Sequence, residues 1–217
     1  MTVRRASTVC VVREAGGGLE VLLARRPASA VFVPGAYVFP GGAVDPCDDR
    51  AAREWGVDAW ILAAIRETYE EVGLLIGVTA PEHTELDRVD PDAFYAGLRH
   101  SGATVRPESM TYVSTWVTPP GPPRRFDTRF YLAEAPQGGE SVVDGEELVE
   151  SVWITPRAAI AAAEAGDMMV ITPTLAHLDY LAGYGSFVAA RLAALAGAHA
   201  DTVDQFIIEG FRAEGHG

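Results

Sequence analysis

The sequence contains no lysine; all 17 of its basic residues are arginine. That excludes Schiff-base chemistry and any phosphate-binding loop built around a lysine. Positive charge is scarce overall, because 30 acidic residues leave a formal net charge of −13. Duplex nucleic acid and anionic membrane both reward an excess of positive charge, so neither is an expected partner. A phosphorylated substrate would need local compensation from metal ions or a few arginines. Cysteine is sparse too: Cys10 and Cys47 form no metal spacing and read as two reduced thiols. The histidines (His83, His100, His177, His199, His216) form none either. No apolar run approaches the roughly 18 residues of a membrane span. Met1-Thr2-Val3-Arg4-Arg5 leads into a strand-like stretch rather than a signal-peptide core, and a cytoplasmic location is expected.

What is present is an apolar half, enough for a sizeable core in a chain of 217 residues. The length suits a single domain, with a core at about 5–170 and a helical C-terminal extension at about 171–217. Residues 6–13 read as a β-branched strand, Gly16-Gly17-Gly18 as a turn, and Leu19–Ala24 as the returning strand. Val31–Phe39 is a third extended segment, interrupted at Pro34-Gly35, and an aspartate-rich loop runs from Asp45 to Arg50. Helical spacing covers Asp58 to Val72, with Gly73 at its stop. Residues 80–108 read as loops around a short helix at Pro91–Arg99. Strands are expected at Met110–Val117, Arg125–Ala133 and Glu147–Ile154, with a stiff proline-rich connection at 119–123. Pro156–Ala165 and Leu175–Ala196 look helical, and Tyr180, Tyr184 and Phe187 are spaced for core packing. Strands interleaved with a few helices, opening on a hairpin, favour a mixed α/β layered fold over a doubly wound parallel sheet.

The informative segment is Arg66-Glu67-Thr68-Tyr69-Glu70-Glu71-Val72-Gly73-Leu74. At about 100° per residue, Glu67, Glu70 and Glu71 share one arc of a helix, related as i, i+3 and i+4. Ile61, Leu62, Ile65, Tyr69 and Val72 face the core, while Ala63 and Ala64 lie beside the acids and leave room for a ligand. Such a cluster repels itself and sits at the dipole's negative end. A hard divalent cation such as Mg²⁺ removes both penalties. An ordinary solvated acidic face is the alternative meaning of these residues taken alone.

With Phe39-Pro40-Gly41-Gly42 upstream, the chain resembles the Nudix family. That signature runs Gly, five residues, Glu, seven residues, then Arg-Glu-U-x-Glu-Glu-x-Gly-U, where U is bulky and apolar. Gly42 matches its opening, and Arg66, Glu67, Glu70, Glu71, Gly73 and Leu74 match its close, with Thr68 more polar than the pattern expects. Gly42 and Arg66 stand 24 positions apart, which is ten more than the signature sets. Counted forward, its first acid falls on Asp48; counted backward, on Asp58, which also suits a helix N-cap. The expanded loop is similar to the branch containing peroxisomal coenzyme A diphosphatases and their bacterial relatives. The chain ends in Glu-Gly-His-Gly rather than a peroxisomal address.

The resemblance implies an α/β/α sandwich with a mixed central sheet and additional C-terminal helices. It implies Mg²⁺ or Mn²⁺ held by Glu67, Glu70 and Glu71 with the Gly41 carbonyl, and Arg66 orienting a helix carboxylate. Proton acceptance from water would fall to Glu67 or Glu70, or to Glu147 in the Asp144-Gly145-Glu146-Glu147 turn. Gly42 is expected at the substrate, and Arg25, Arg26, Arg124, Arg125 and Arg129 are candidate phosphate contacts, Arg25 and Arg125 foremost. The expected substrate is a nucleoside diphosphate linked to another moiety, coenzyme A or its thioesters first, ADP-ribose or a dinucleotide second. A non-catalytic nucleotide sensor is the reading from another class, and prenyl diphosphate isomerisation lacks an evident cysteine–glutamate pair. A homodimer is common among relatives.

Overall fold

The computed structural model describes residues 3–197 apart from 17, 32, 82–83, 119 and 121–123. Gly17, Phe32, His83, most of the proline-rich connection, and the end of the expected helical extension with His199 and His216 lie outside the described residues. Strands β1 (Arg4–Ala15) and β2 (Gly18–Arg25) form the expected hairpin. Along β1, Val9 and Val11 enter one core and Cys10 and Val12 the other, so both faces of the sheet are buried.

The hairpin is paired only at its closed end, from Val12↔Val21 to Ala15↔Gly18. Beyond it the two strands part, and residues 37–43 fill the wedge. Strand β3 (Tyr37–Val38) bonds to β2, and β4 (Gly41–Ala43) crosses to β1. The Val9 amide donates to the Pro40 carbonyl at the crossing, 2.9 Å. Of the extended segment expected at Val31–Phe39, only these two residues of β3 are strand; Val33 and Gly35 have positive φ and turn the chain first.

Helix α1 (Pro46–Trp55) replaces the expected aspartate-rich loop. Asp45 caps it, Pro46 fits its first turn, and Asp48 completes a capping box. The ten residues that lengthen the signature are therefore structured rather than loose. Asp58 caps α2 (Ala59–Val72), and Gly73, in the left-handed region, ends it. Leu62, Ile65 and Val72 are buried as the periodicity predicts. Ala63 and Ala64 are fully buried as well. Their small side chains let α2 lie close on β1 and β4 rather than opening room for a ligand.

A two-residue ribbon of β5 (Val78–Thr79) and β6 (Thr104–Val105) brackets α3 (Pro91–Ser101), an addition to the expected loops. Strand β7 (Thr111–Val117) pairs antiparallel with β8 (Phe126–Glu134), and β8 runs parallel to β1. Strand β9 (Glu150–Ile154) lines β2 and starts three residues later than expected, which leaves Glu147 in a turn. Helices α4 (Pro156–Ala165), α5 (Thr172–Ala182) and α6 (Phe187–Leu195) follow. The single late helix expected at 175–196 is thus two, separated at Gly183–Ser186, where Ser186 caps α6. Tyr180 is buried there, with Tyr184 and Phe187 packed against the same core. Helices α1–α3 cover one face of the mixed sheet and α4–α6 the other, giving the α/β/α sandwich.

Candidate active site

The second half of α2 meets the wedge in the sheet. Glu71 accepts a hydrogen bond from the Gly41 amide, 2.7 Å, and is almost wholly buried. Glu67 lies against Gly42 so tightly that a Cβ there would come within 2.3 Å of its Oε2. At Gly41 the obstacle is backbone: a Cβ would stand 2.2 Å from the Ser7 carbonyl oxygen, and φ is +145°. The two glycines therefore do different work. Gly41 lets the strand approach β1, and Gly42 gives space to a carboxylate.

One guanidinium organises the acids. Arg66, almost fully buried, donates to both oxygens of Asp48 at 2.9 Å each, to Glu70 at 2.7 Å and to the Ala43 carbonyl at 3.2 Å. Its Nη2 also lies 3.0 Å from a Glu67 oxygen. Asp48 has no exposed surface and further accepts from the Tyr95 hydroxyl, 2.6 Å, and the Asp45 amide, 2.7 Å. Of the two acids that counting offers, Asp48 is the one paired with Arg66, whereas Asp58 caps α2 and pairs with Arg129. Burial works against the charge on Arg66, but the Asp48 hydrogen bonds and the Glu67 and Glu70 carboxylates outweigh it and hold the group charged.

Desolvation dominates the three glutamates. Burial pushes Glu67 up to about 7 against the pull of Arg66, and does the same to Glu70, also to about 7. Glu71 is raised well above the ordinary range by burial and by Glu67, with the Gly41 amide and Arg26 opposing. The Glu147 carboxylate adds a smaller repulsion to both Glu70 and Glu71. The Glu147 turn is tied down: the Val142 amide donates to the Val72 carbonyl and the Asp144 amide to the Glu71 carbonyl, each at 2.9 Å. The Asp144 side chain gathers the amides of Glu146, Glu147 and Leu148, and Leu148 is buried beneath it.

The other arginines divide. Arg26 carries a buried Nε without a hydrogen-bond partner and acts electrostatically on Glu71. Arg25, at the end of β2 between β3 and β9, is engaged by Glu150 at 2.8 Å. Arg125 donates to the Thr118 carbonyl, 2.9 Å, Arg124 is exposed, and Arg129 stacks over Trp60, 3.7 Å from the ring centroid. None of these four contacts the glutamates, so the acidic centre brings in Arg26 rather than the two foremost candidates.

Among the described residues, no three acidic, histidine or cysteine side chains form a ready-made cage for a metal ion. Two of the carboxylates lean on Arg66 and the third on the Gly41 amide. A divalent cation nonetheless fits this donor set. The Oε1 atom of Glu70 is buried with no partner, and desolvated carboxylates are oxygen donors whose charge nothing here fully balances. Magnesium commonly takes one or two protein carboxylates and completes its shell with water and substrate phosphate.

Comparison with known proteins agrees. The NUDIX domain model matches residues 3–173. Nudix hydrolase 7 of Caenorhabditis elegans is 30% identical over 171 residues, which is 75% of this chain and 55% of that protein. Acyl-coenzyme A diphosphatase NUDT19 of Gallus gallus is 24% identical, over 77% of this chain and 62% of its own length. The chain therefore spans somewhat more than half the length of these curated relatives. The crystal structure of a NUDIX hydrolase from Alicyclobacillus acidocaldarius superimposes with a TM-score of 0.76 at 32% identity, covering 89% of this chain and 96% of that one. A matched domain over most of the chain, with the glutamates, the arginine clamp and the glycine pair gathered at one place, assigns this chain to the Nudix hydrolase family.

Proposed function

We propose that the chain hydrolyses the diphosphate bond of a nucleoside diphosphate linked to a second moiety, and that coenzyme A or an acyl-coenzyme A is that substrate. The observation that carries the chemistry is the Glu67–Glu70–Glu71 group, desolvated and charge-frustrated, with an unpartnered oxygen on Glu70. Support for the substrate comes from the expanded segment between Gly42 and Arg66 and from similarity to an acyl-coenzyme A diphosphatase.

Mg²⁺ or Mn²⁺ would be held by Glu67, Glu70 and Glu71 with the Gly41 carbonyl, and supplies Lewis acidity toward phosphate oxygens and a more acidic water. The chain's own groups do the rest. Arg66 fixes Glu67 and Glu70 in place. Gly42 leaves room for the Glu67 carboxylate. Arg26, close enough to act on Glu71, offers its guanidinium to a phosphate oxygen, a role for which the group is well shaped. Glu147 accepts the proton of the attacking water from an exposed turn whose backbone is bonded to the end of α2. Phosphoryl chemistry of this kind depends on positioning and charge stabilisation more than on covalent help.

A panel of coenzyme A, acyl-coenzyme A, ADP-ribose, NADH and diadenosine polyphosphates, each with Mg²⁺ or Mn²⁺, tests the reading by product identity. Cleavage of coenzyme A to 3′,5′-ADP and 4′-phosphopantetheine is expected. Preference for ADP-ribose or a dinucleotide would keep the chemistry and overturn the substrate. Nucleotide binding with no cleavage anywhere would make the chain a sensor.

A further inference from the structure

The acidic turn that carries Glu147 comes from a part of the chain remote from α2, yet it is pinned to the helix by more than its own backbone. Arg88 lies half-buried between them. Its Nε and Nη2 donate to the Glu70 carbonyl at 3.1 and 2.8 Å, and Nη2 also donates to the Val142 carbonyl at 2.8 Å. The Glu70 carbonyl belongs to the last turn of α2, which lacks intrahelical partners, so a cation there satisfies orphan acceptors and the helix dipole together. Gly73 closes α2 at a positive φ of +70°, and a Cβ there would only touch the Val142 oxygen at 3.4 Å and Arg88 Nη1 at 3.6 Å, so this end of the helix, the Val142 loop and Arg88 lie in contact.

Arg88 is itself held by a built segment. The Leu86 amide donates to the Tyr69 hydroxyl, 3.1 Å, and the Leu86 side chain packs against the core. Asp87 accepts from the amides of Val89 and Asp90 at 2.8 and 2.7 Å, and Asp90 caps α3. The guanidinium is therefore presented from a fixed turn to two carbonyls, one on α2 and one on the loop that leads to Glu147.

We propose that Arg88 is a positioning residue for hydrolysis, setting the distance between the Glu147 turn and the Glu67–Glu71 face of α2 by bridging the Glu70 and Val142 carbonyls. The inference rests on the reading of Glu147 given above. The bonds of Arg88 go to main-chain carbonyls, and it acts through the loop. Nη2 reaches both carbonyls while Nε adds a second bond to Glu70, and a lysine ammonium could match that planar arrangement only in part.

The test combines kinetics with amide exchange on Arg88→Ala, Arg88→Lys, Glu147→Gln and the double variant Arg88→Ala/Glu147→Gln. Arg88→Ala should lower kcat roughly tenfold to a hundredfold at nearly constant KM. The Val142 and Asp144 amides should exchange faster, with Arg88→Lys between it and wild type in both readouts. Because the effect runs through Glu147, the double variant should be no slower than Glu147→Gln. Losses that multiply in the double variant, or unchanged exchange at Val142 and Asp144, would overturn the proposal. Wild-type turnover in Glu147→Gln would overturn it too, while leaving the cation site, judged by Glu70→Gln, untouched.

Discussion

Arg66 grips Asp48 through two parallel hydrogen bonds of 2.9 Å, joining α2 to α1 inside a fully enclosed pair. The same guanidinium then reaches outward to Glu67 and Glu70, so the anchor of the fold and the organiser of the acids are one side chain.

Removing one half of that anchor should be costly, because the other half stays buried and uncompensated. Asp48→Ala should destabilise by about 3–5 kcal/mol and abolish turnover. Asp58→Ala, which removes an N-cap and an exposed ion pair, should cost only about 1 kcal/mol and leave turnover near wild type. Chemical denaturation of both variants checks the contrast; equal costs would mean that the acids had been misassigned.

The two glycines should fail differently. Gly42→Ala intrudes on the Glu67 carboxylate, a movable group, and should leave the fold intact while weakening Mg²⁺-dependent turnover. Gly41→Ala collides with the Ser7 backbone at a positive φ and should lose stability first. Melting temperature and turnover, measured side by side, separate the two.

Stability without divalent cations should depend on pH in a direction opposite to that of a salt-bridged acid. Burial pushes Glu67 and Glu70 up to about 7 in the folded chain, against the ordinary 4.5 of an exposed glutamate in the unfolded one, so the folded chain holds more protons between those values. Their contribution is complete below 4.5 and disappears as pH rises through 7. The melting temperature of cation-free protein should fall across that window. Added Mg²⁺ should restore more at pH 8 than at pH 5, since the ligands must be deprotonated. Scanning calorimetry with and without chelator reads both effects.

Thr68 provides a control on the buried face of α2. Its hydroxyl is enclosed without a partner, so the isosteric Thr68→Val should stabilise by about 1 kcal/mol, a rise of roughly 2–4 °C, without altering turnover. A lower melting temperature would contradict this account of the hydroxyl.

The parts of the site written in local sequence were the legible ones. The spacing of Glu67, Glu70 and Glu71, the Asp58 and Gly73 caps and the β1–β2 hairpin all follow from periodicities of 3.6 and 2 and from turn chemistry. Helix α1 looked like a loop because aspartates and a proline are turn residues; the same Asp45-Pro46 pair with Asp48 is also a capping box and a helix start. The choice between Asp48 and Asp58 could not be made by counting, because it depends on a contact eighteen residues away and on the Tyr95 hydroxyl, which only the packing of α3 brings in. Arg88 carried no sequence signal, since its partners are main-chain carbonyls. Among the arginines, strand-end position did not distinguish Arg26 from Arg25.

The central claim is that these carboxylates are crowded together to receive cations. Titrating Mn²⁺ into wild type and Glu70→Gln at pH 8, with a methylene-bridged diphosphate analogue present and unbound Mn²⁺ followed by electron paramagnetic resonance, tests it without relying on turnover. The account predicts stoichiometric uptake by wild type and affinity at least about tenfold weaker in the variant. No uptake by wild type, or equal uptake by both proteins, would contradict it.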